Sequence, residues 1–179
     1  MDEKFSNLSE LRAGDFEHLD GSLIDHLTGT KALLKEWKAS SELQSAGLYH
    51  AAYGTAGFEG SLVTTDQRNK IASIIRTDAE ELVYQYCACD RKHFFSQFDT
   101  GVNPIFKNRF TGELYYLSSK AMKMFCELTA ANETEIAIDN PLFVTEQGEE
   151  LCSLFDSMSP YLSKAAQNQV VKVFGGKSV

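Results

Sequence analysis

Positive charge is scarce in this sequence. It has 17 lysines and arginines against 25 aspartates and glutamates, a formal net charge of −8 and a pI near 5.0. No basic stripe stands out, which excludes wholesale binding to nucleic acid phosphates while leaving a single nucleotide admissible. Long apolar runs are missing too. No segment approaches the ~20 apolar residues that span a bilayer, and the N-terminal MDEKFSNLSEL is charged and has no apolar signal core. The expected setting is therefore the cytoplasm, with no membrane partner. The four cysteines, Cys87, Cys89, Cys126 and Cys152, then read as free thiols in a reducing compartment, and the spacing of Cys87 and Cys89 is unlike a zinc knuckle. Internal repeats and low-complexity tracts are absent. So are a glycine-rich phosphate loop, a Ser-His-Asp order and a Cys-His pairing.

What remains is an ordinary globular composition, 43% hydrophobic and 23% charged over 179 residues. A chain of this length buries roughly 70% of its unfolded surface. Residues 1–14 read as a polar lead-in, with a turn of helix from Ser9, and residues 15–179 as a single domain. Helical periodicity dominates: Phe16 to Lys38 with a break at Gly21, Ser41 to Tyr53, and Thr65 to Ile75 capped by Thr65. Further helices follow Asp78, Ser118 and Ser119, Thr145, and Pro160. Gly54 to Thr64 holds three glycines and no period, so it reads as a loop whose Phe58 and Leu62 fold back as a lid. IFKNRFTGELYYL, from Ile105 to Leu117, has strand character around Thr111-Gly112 and predicts a β-hairpin packed on helices. The expected fold class is all-α, with a small β-hairpin near residues 105–117.

The chain is organised around Asp25 to Thr55. Leu19, Leu23, His26, Leu27, Thr30, Leu33 and Trp37 recur at spacings of three and four, as do Leu43, Gly47, His50 and Gly54. Both histidines therefore fall on buried faces. Ser40 or Ser41 caps the second helix across a short turn. At ~1.5 Å per residue, His26 and His50 stand roughly 21 and 15 Å from that turn, about one helical turn apart. Imidazoles on packed antiparallel helices can then share one pocket, and Gly47, Ala51, Ala52 and Gly54 leave space around it. The competing reading is a pair of hydrogen-bonded core histidines. His18, eight positions before His26, lies about 80° round the same helix and could be a third imidazole. Such a set, open at one position, suits zinc or iron.

The segments HLTGT, AGLYHAAYGT, Arg68 and Ala79-Glu80-Glu81-Leu82 resemble an uncharacterised bacterial family within the HD superfamily of metal-dependent phosphohydrolases, over about residues 15–135. The resemblance implies an HD-domain-like helical bundle. It also implies a metal held by His26, by His50 with an adjacent aspartate, and by a distant aspartate. Two of those acids are not where the pattern wants them. Ala51 follows His50, and the late position falls to Asn132 or, less well, Asn108. Glu59, Asp66 or Glu135 could restore a carboxylate, although Asp66 also reads as a helix-start charge and Glu135 as a solvated one. Without carboxylates, Mg²⁺ or Mn²⁺ would be held poorly.

The expected site is thus a histidine-lined pocket of His26, His50, Tyr53, Thr55, Arg68 and Asn132 for a small polar or anionic ligand, Arg68 being the natural anion partner. The metal ligands would be His18, His26 and His50, and the cofactor zinc, iron or manganese, or none. Three functions follow. One is a divergent HD-like hydrolase acting on a small phosphorylated or polar metabolite. The second is a catalytically degenerate HD domain that binds a small ligand or a protein, and the third is an HD-type iron oxygenase.

Overall fold

In the computed structural model, residues 3–10, 17–18, 21–55 and 60–175 are described. The described residues form a mostly helical fold with the expected hairpin near residues 105–117 and a second short one, pairing residues 17–18 with 21–22, that periodicity did not predict. The helices that frame the centre are α2 (Leu23–Glu36), α3 (Ser41–Tyr49), α5 (Thr77–Ala88) and α7 (Ser119–Ile138). Around them lie α1 (Glu3–Glu10), α4 (Arg68–Ile75), α6 (Arg91–Phe95), α8 (Pro141–Met158) and α9 (Lys164–Phe174).

Each boundary has a local cause. Ser22 caps α2 by accepting from the Asp25 amide at 3.3 Å, so α2 begins at Leu23 rather than Phe16. The stretch before it pairs as β1 (Glu17–His18) against β2 (Gly21–Ser22). His18 is consequently not on α2, and the helical phase relating it to His26 does not apply; its side chain lies outside the described residues. Lys38, at φ 59°, turns the chain after α2, and Ser40 caps α3 through the Leu43 amide. The second helix stops at Tyr49, with His50 as its cap and a turn over residues 50–53, four residues short of the expected end. The lead-in carries structure as well. Leu8 of α1 is fully buried, Tyr49 donates its hydroxyl to the Lys4 carbonyl, and Lys4 reaches Ser45.

The predicted hairpin forms as β3 (Ile105–Lys107) and β4 (Leu114–Tyr116), with Phe106 opposite Tyr115. Gly112, at φ 77°, takes the left-handed conformation that favours glycine. Asn108 is spent on this turn. Its Oδ1 accepts from the amides of Phe110 and Thr111, and its Nδ2 donates to Tyr84. It is therefore not the late metal ligand. Phe106 packs against Phe94 and Phe125, which fixes the hairpin to α6 and α7.

The core runs through α2, α3, α5 and α7. Leu23, Leu27, Leu34, Leu48, Val83, Phe125 and Leu128 are at most 1% exposed, each contributing roughly 1.5–3 kcal/mol of burial. Gly47 does not leave a void. A Cβ there would stand 2.5 Å from Leu34 Cδ1, so the glycine lets α3 close on α2. Ala51 and Ala52 are likewise packed core residues. Small side chains here bring helices together rather than hollow out a pocket. Among the described residues, no helix is long and apolar enough to cross a membrane.

Candidate functional site

His26 sits in the first turns of α2 and His50 at the C-terminal end of α3. The two helices pack directly, and the ring centroids are 5.0 Å apart at 84°. Their Nε2 atoms approach to 3.2 Å. Asn132, on the buried face of α7, brings its Oδ1 to 3.1 Å from His26 Nε2. All three side chains are at most 6% exposed. The two imidazoles expected to share one pocket thus meet, with the Asn132 amide oxygen beside them.

The far sides of the rings decide what those atoms are. His50 Nδ1 lies 2.8 Å from the Gly47 carbonyl, which can only accept. Nδ1 therefore carries the proton and Nε2 the lone pair. His26 Nδ1 donates to the Glu135 carboxylate, which again leaves a lone pair on Nε2 of the neutral ring. Glu135 follows Asn132 by three positions on α7, so both reach the same face. Gly29 makes this possible. It lies one turn after His26, and a Cβ there would stand 2.8 Å from Glu135 Cγ and 2.9 Å from Cδ. The glycine of HLTGT thus admits the carboxylate to the imidazole. Thr30 of the same segment donates to the His26 carbonyl at 3.0 Å.

With both rings neutral, His26 Nε2 is an acceptor facing two others, His50 Nε2 at 3.2 Å and Asn132 Oδ1 at 3.1 Å. That arrangement calls for a proton or a cation between them. Two ligands each ~2.1 Å from one ion lie roughly 3.0 Å apart at a right angle and 3.4 Å apart in a tetrahedron, and both observed separations fall in that interval. A ligating histidine almost always gives its second ring N–H to a carboxylate or a backbone carbonyl, and here one ring does each. The donor set fits a divalent ion of the zinc or iron type better than magnesium. Among the described residues, no group of three or more His, Cys, Asp or Glu side chains gathers to hold a metal; the third donor is an amide.

The amide is itself held. Asn132 Nδ2 donates to Glu133 Oε1 at 2.9 Å, which fixes Oδ1 toward His26. Arg91 Nη1 reaches the same Glu133 oxygen at 3.4 Å, and its guanidinium carbon lies 5.1 Å from the centre of the Tyr86 ring. The Tyr86 ring in turn meets His50 edge-on at 5.5 Å. The contacts His26, Asn132, Glu133, Arg91, Tyr86, His50 close into a circle.

Tyr53 and Arg68 form a second cluster. Buried Glu80 accepts from the Tyr53 hydroxyl at 2.7 Å and from Nε and Nη2 of Arg68, both at 2.7 Å, while Glu81 also takes Arg68 Nη2. Burial, then the bond to Glu80, pushes the Tyr53 phenol well above its ordinary value, so it is a donor and not a base. Hydrogen bonding to Glu80 raises the Arg68 guanidinium further. The fork read as an anion ligand is thus clamped on carboxylates of its own chain. Thr55 follows Gly54, half-buried. Asp66 accepts from Thr64 at a helix start, the structural role its position suggested. Of the lid, Leu62 and Val63 hydrogen-bond the Ala52 carbonyl, whereas Phe58 and Glu59 lie outside the described residues.

Glu133, Arg91 and Tyr86 were missed because their parts in the site come from α5, α6 and α7 meeting. The one sequence signal was the i, i+3 spacing of Asn132 and Glu135. No curated protein and no solved structure matches the chain. Over residues 7–91, a stretch that carries His26, His50 and Arg91 but neither Asn132 nor Glu135, the chain is similar to a domain family of unknown function, DUF6817.

Proposed function

We propose that this protein is a divergent metal-dependent hydrolase of the HD type, acting on a small phosphorylated metabolite. The ion would be held by His26 Nε2, His50 Nε2 and Asn132 Oδ1. The observation that carries the reading is the approach of His50 Nε2 and Asn132 Oδ1 to within 3.2 Å of His26 Nε2, with both Nδ1 atoms already committed. The ion, when bound, supplies a water of lowered pKa and polarises a phosphoryl oxygen. The chain does the rest. Glu135 and the Gly47 carbonyl hold the two rings in the ligating tautomer, and Glu133 holds the amide oxygen inward. Nitrogen donors and the Asn132 amide leave the ion's charge undiminished, which favours an anionic substrate over a neutral one.

The test is a competitive zinc titration of chelator-stripped protein, with a phosphomonoester panel assayed beside it. One zinc per chain is expected, its affinity falling at least about 100-fold in His26→Ala and His50→Ala and less in Asn132→Ala. Loss of hydrolysis is expected to follow loss of zinc. Wild-type protein that binds no zinc, iron or manganese would leave a ligand-binding module as the better reading.

A further inference from the structure

The circle of contacts contains two buried donors with nothing to donate to. The Tyr86 hydroxyl and Arg91 Nε are shut from solvent, and neither has a hydrogen-bond partner among the described residues. Both belong to side chains already in contact, since the Arg91 guanidinium stands over the Tyr86 ring. A buried donor left without an acceptor is costly, and more so when it is charged. Arg91 is also weakly satisfied as a cation. Its one ion pair among the described residues, with Glu133, is long at 3.4 Å, beyond the usual N–H···O range, and Glu133 is shared with Asn132. By contrast, Arg68 holds its carboxylate through two bonds of 2.7 Å. One arginine is saturated, and the other has donors to spare beside the paired histidines.

We infer that Arg91 and Tyr86 form an oxyanion subsite next to His50, one that takes the phosphate or carboxylate group of a small ligand. Two buried donors on side chains in contact, one of them cationic, fit a group with several acceptor oxygens. The Arg91 side chain as a whole is 20% exposed, and the proposed anion enters from that side to reach the buried Nε and the Tyr86 hydroxyl. Glu133 is the internal carboxylate that an incoming anion displaces from Nη1, at the edge of the candidate metal position. The subsite rests on the proposed hydrolase only for what the anion is attached to; its affinity for a free anion does not.

The experiment is calorimetric titration with inorganic phosphate, on chelator-stripped protein and again after zinc loading. Stripped wild-type protein is expected to bind phosphate. Arg91→Lys should weaken that binding about 10- to 100-fold, the range for one charge-assisted hydrogen bond, and Tyr86→Phe severalfold. Glu133→Gln should tighten it, because the competing charge is gone. Thermal melts without phosphate separate this from a structural role. Tyr86→Phe removes only an unsatisfied hydroxyl and should leave the melting temperature equal or higher. A Tyr86→Phe protein that melts earlier yet binds phosphate as the wild type does would show a buried structural water instead, and would overturn the inference. Phosphate affinity unchanged in Arg91→Lys, or absent from stripped wild-type protein, would overturn it as well. Failure of the metal reading is seen separately, in a zinc titration run without phosphate.

Discussion

Replacing Gly29 by alanine separates the stability of the fold from the integrity of the histidine site. In a helix interior alanine is favoured over glycine by about 1 kcal/mol, so an isolated α2 would gain. Here the new methyl falls within 2.9 Å of Glu135 Cγ and Cδ, and that carboxylate side chain, 24% exposed, can swing outward rather than disrupt the helix. What is lost is the bond to His26 Nδ1, a charged hydrogen bond of roughly 1.5–3 kcal/mol. The two effects partly offset, and a net destabilisation of about 0.5–2 kcal/mol is expected in urea unfolding of metal-free protein. Zinc affinity has no such compensation. Loss of the carboxylate behind a ligating imidazole typically costs 10- to 100-fold, and Glu135→Gln, which keeps the size and removes the charge, should lose a comparable amount. Gly29→Ala protein that unfolds as expected yet binds zinc with wild-type affinity would refute the assignment of Glu135 as the group that orients His26.

Two further outcomes can be checked without a ligand. Asp90 caps α6 through the His93 amide and pairs with Lys107 of β3 at 2.9 Å. Those bonds, that to Lys107 foremost, hold its carboxyl below the usual range. The folded state therefore favours the ionised form, and this stabilisation is present above the ordinary carboxylate value near ~3.9 and lost as pH falls through the depressed one. Asp90→Ala should cost about 1 kcal/mol at neutral pH, a difference that shrinks in unfolding curves as pH falls through Asp90's lowered value. Burial pushes the thiols of Cys87 and Cys89 up to about 12 and raises that of Cys126, so all three stay protonated at pH 8. Native protein treated with a thiol-exchange reagent should therefore label at Cys152 alone, whereas urea-unfolded protein releases four equivalents. Rapid native labelling of Cys87 would contradict its packing beneath His50, whose carbonyl accepts its S–H.

The sequence by itself determined the helices and the burial of both histidines. Leucines at spacings of three and four can only be buried together on one side of a helix, and His26 and His50 share those sides. The Ser40-Ser41 pair announced a cap, which Ser40 supplies, and Thr111-Gly112 announced the hairpin. Boundaries were less legible. Ser22 starts α2 where apolar periodicity alone would have run on to Phe16, and His50 ends α3 because its ring takes the Gly47 carbonyl. Tertiary structure alone decided which partners each side chain found. Arg68 and Arg91 look alike in a sequence, yet Glu80 reaches the first bidentately and Glu133 barely holds the second. Gly47 looks like room for a ligand and is filled by Leu34, while Gly29 looks like a helix defect and makes way for Glu135. Periodicity fixes the face on which a residue lies. Only the meeting of α2, α3 and α7 fixes which atoms stand 3 Å apart, and the chemistry of the site depends on that spacing.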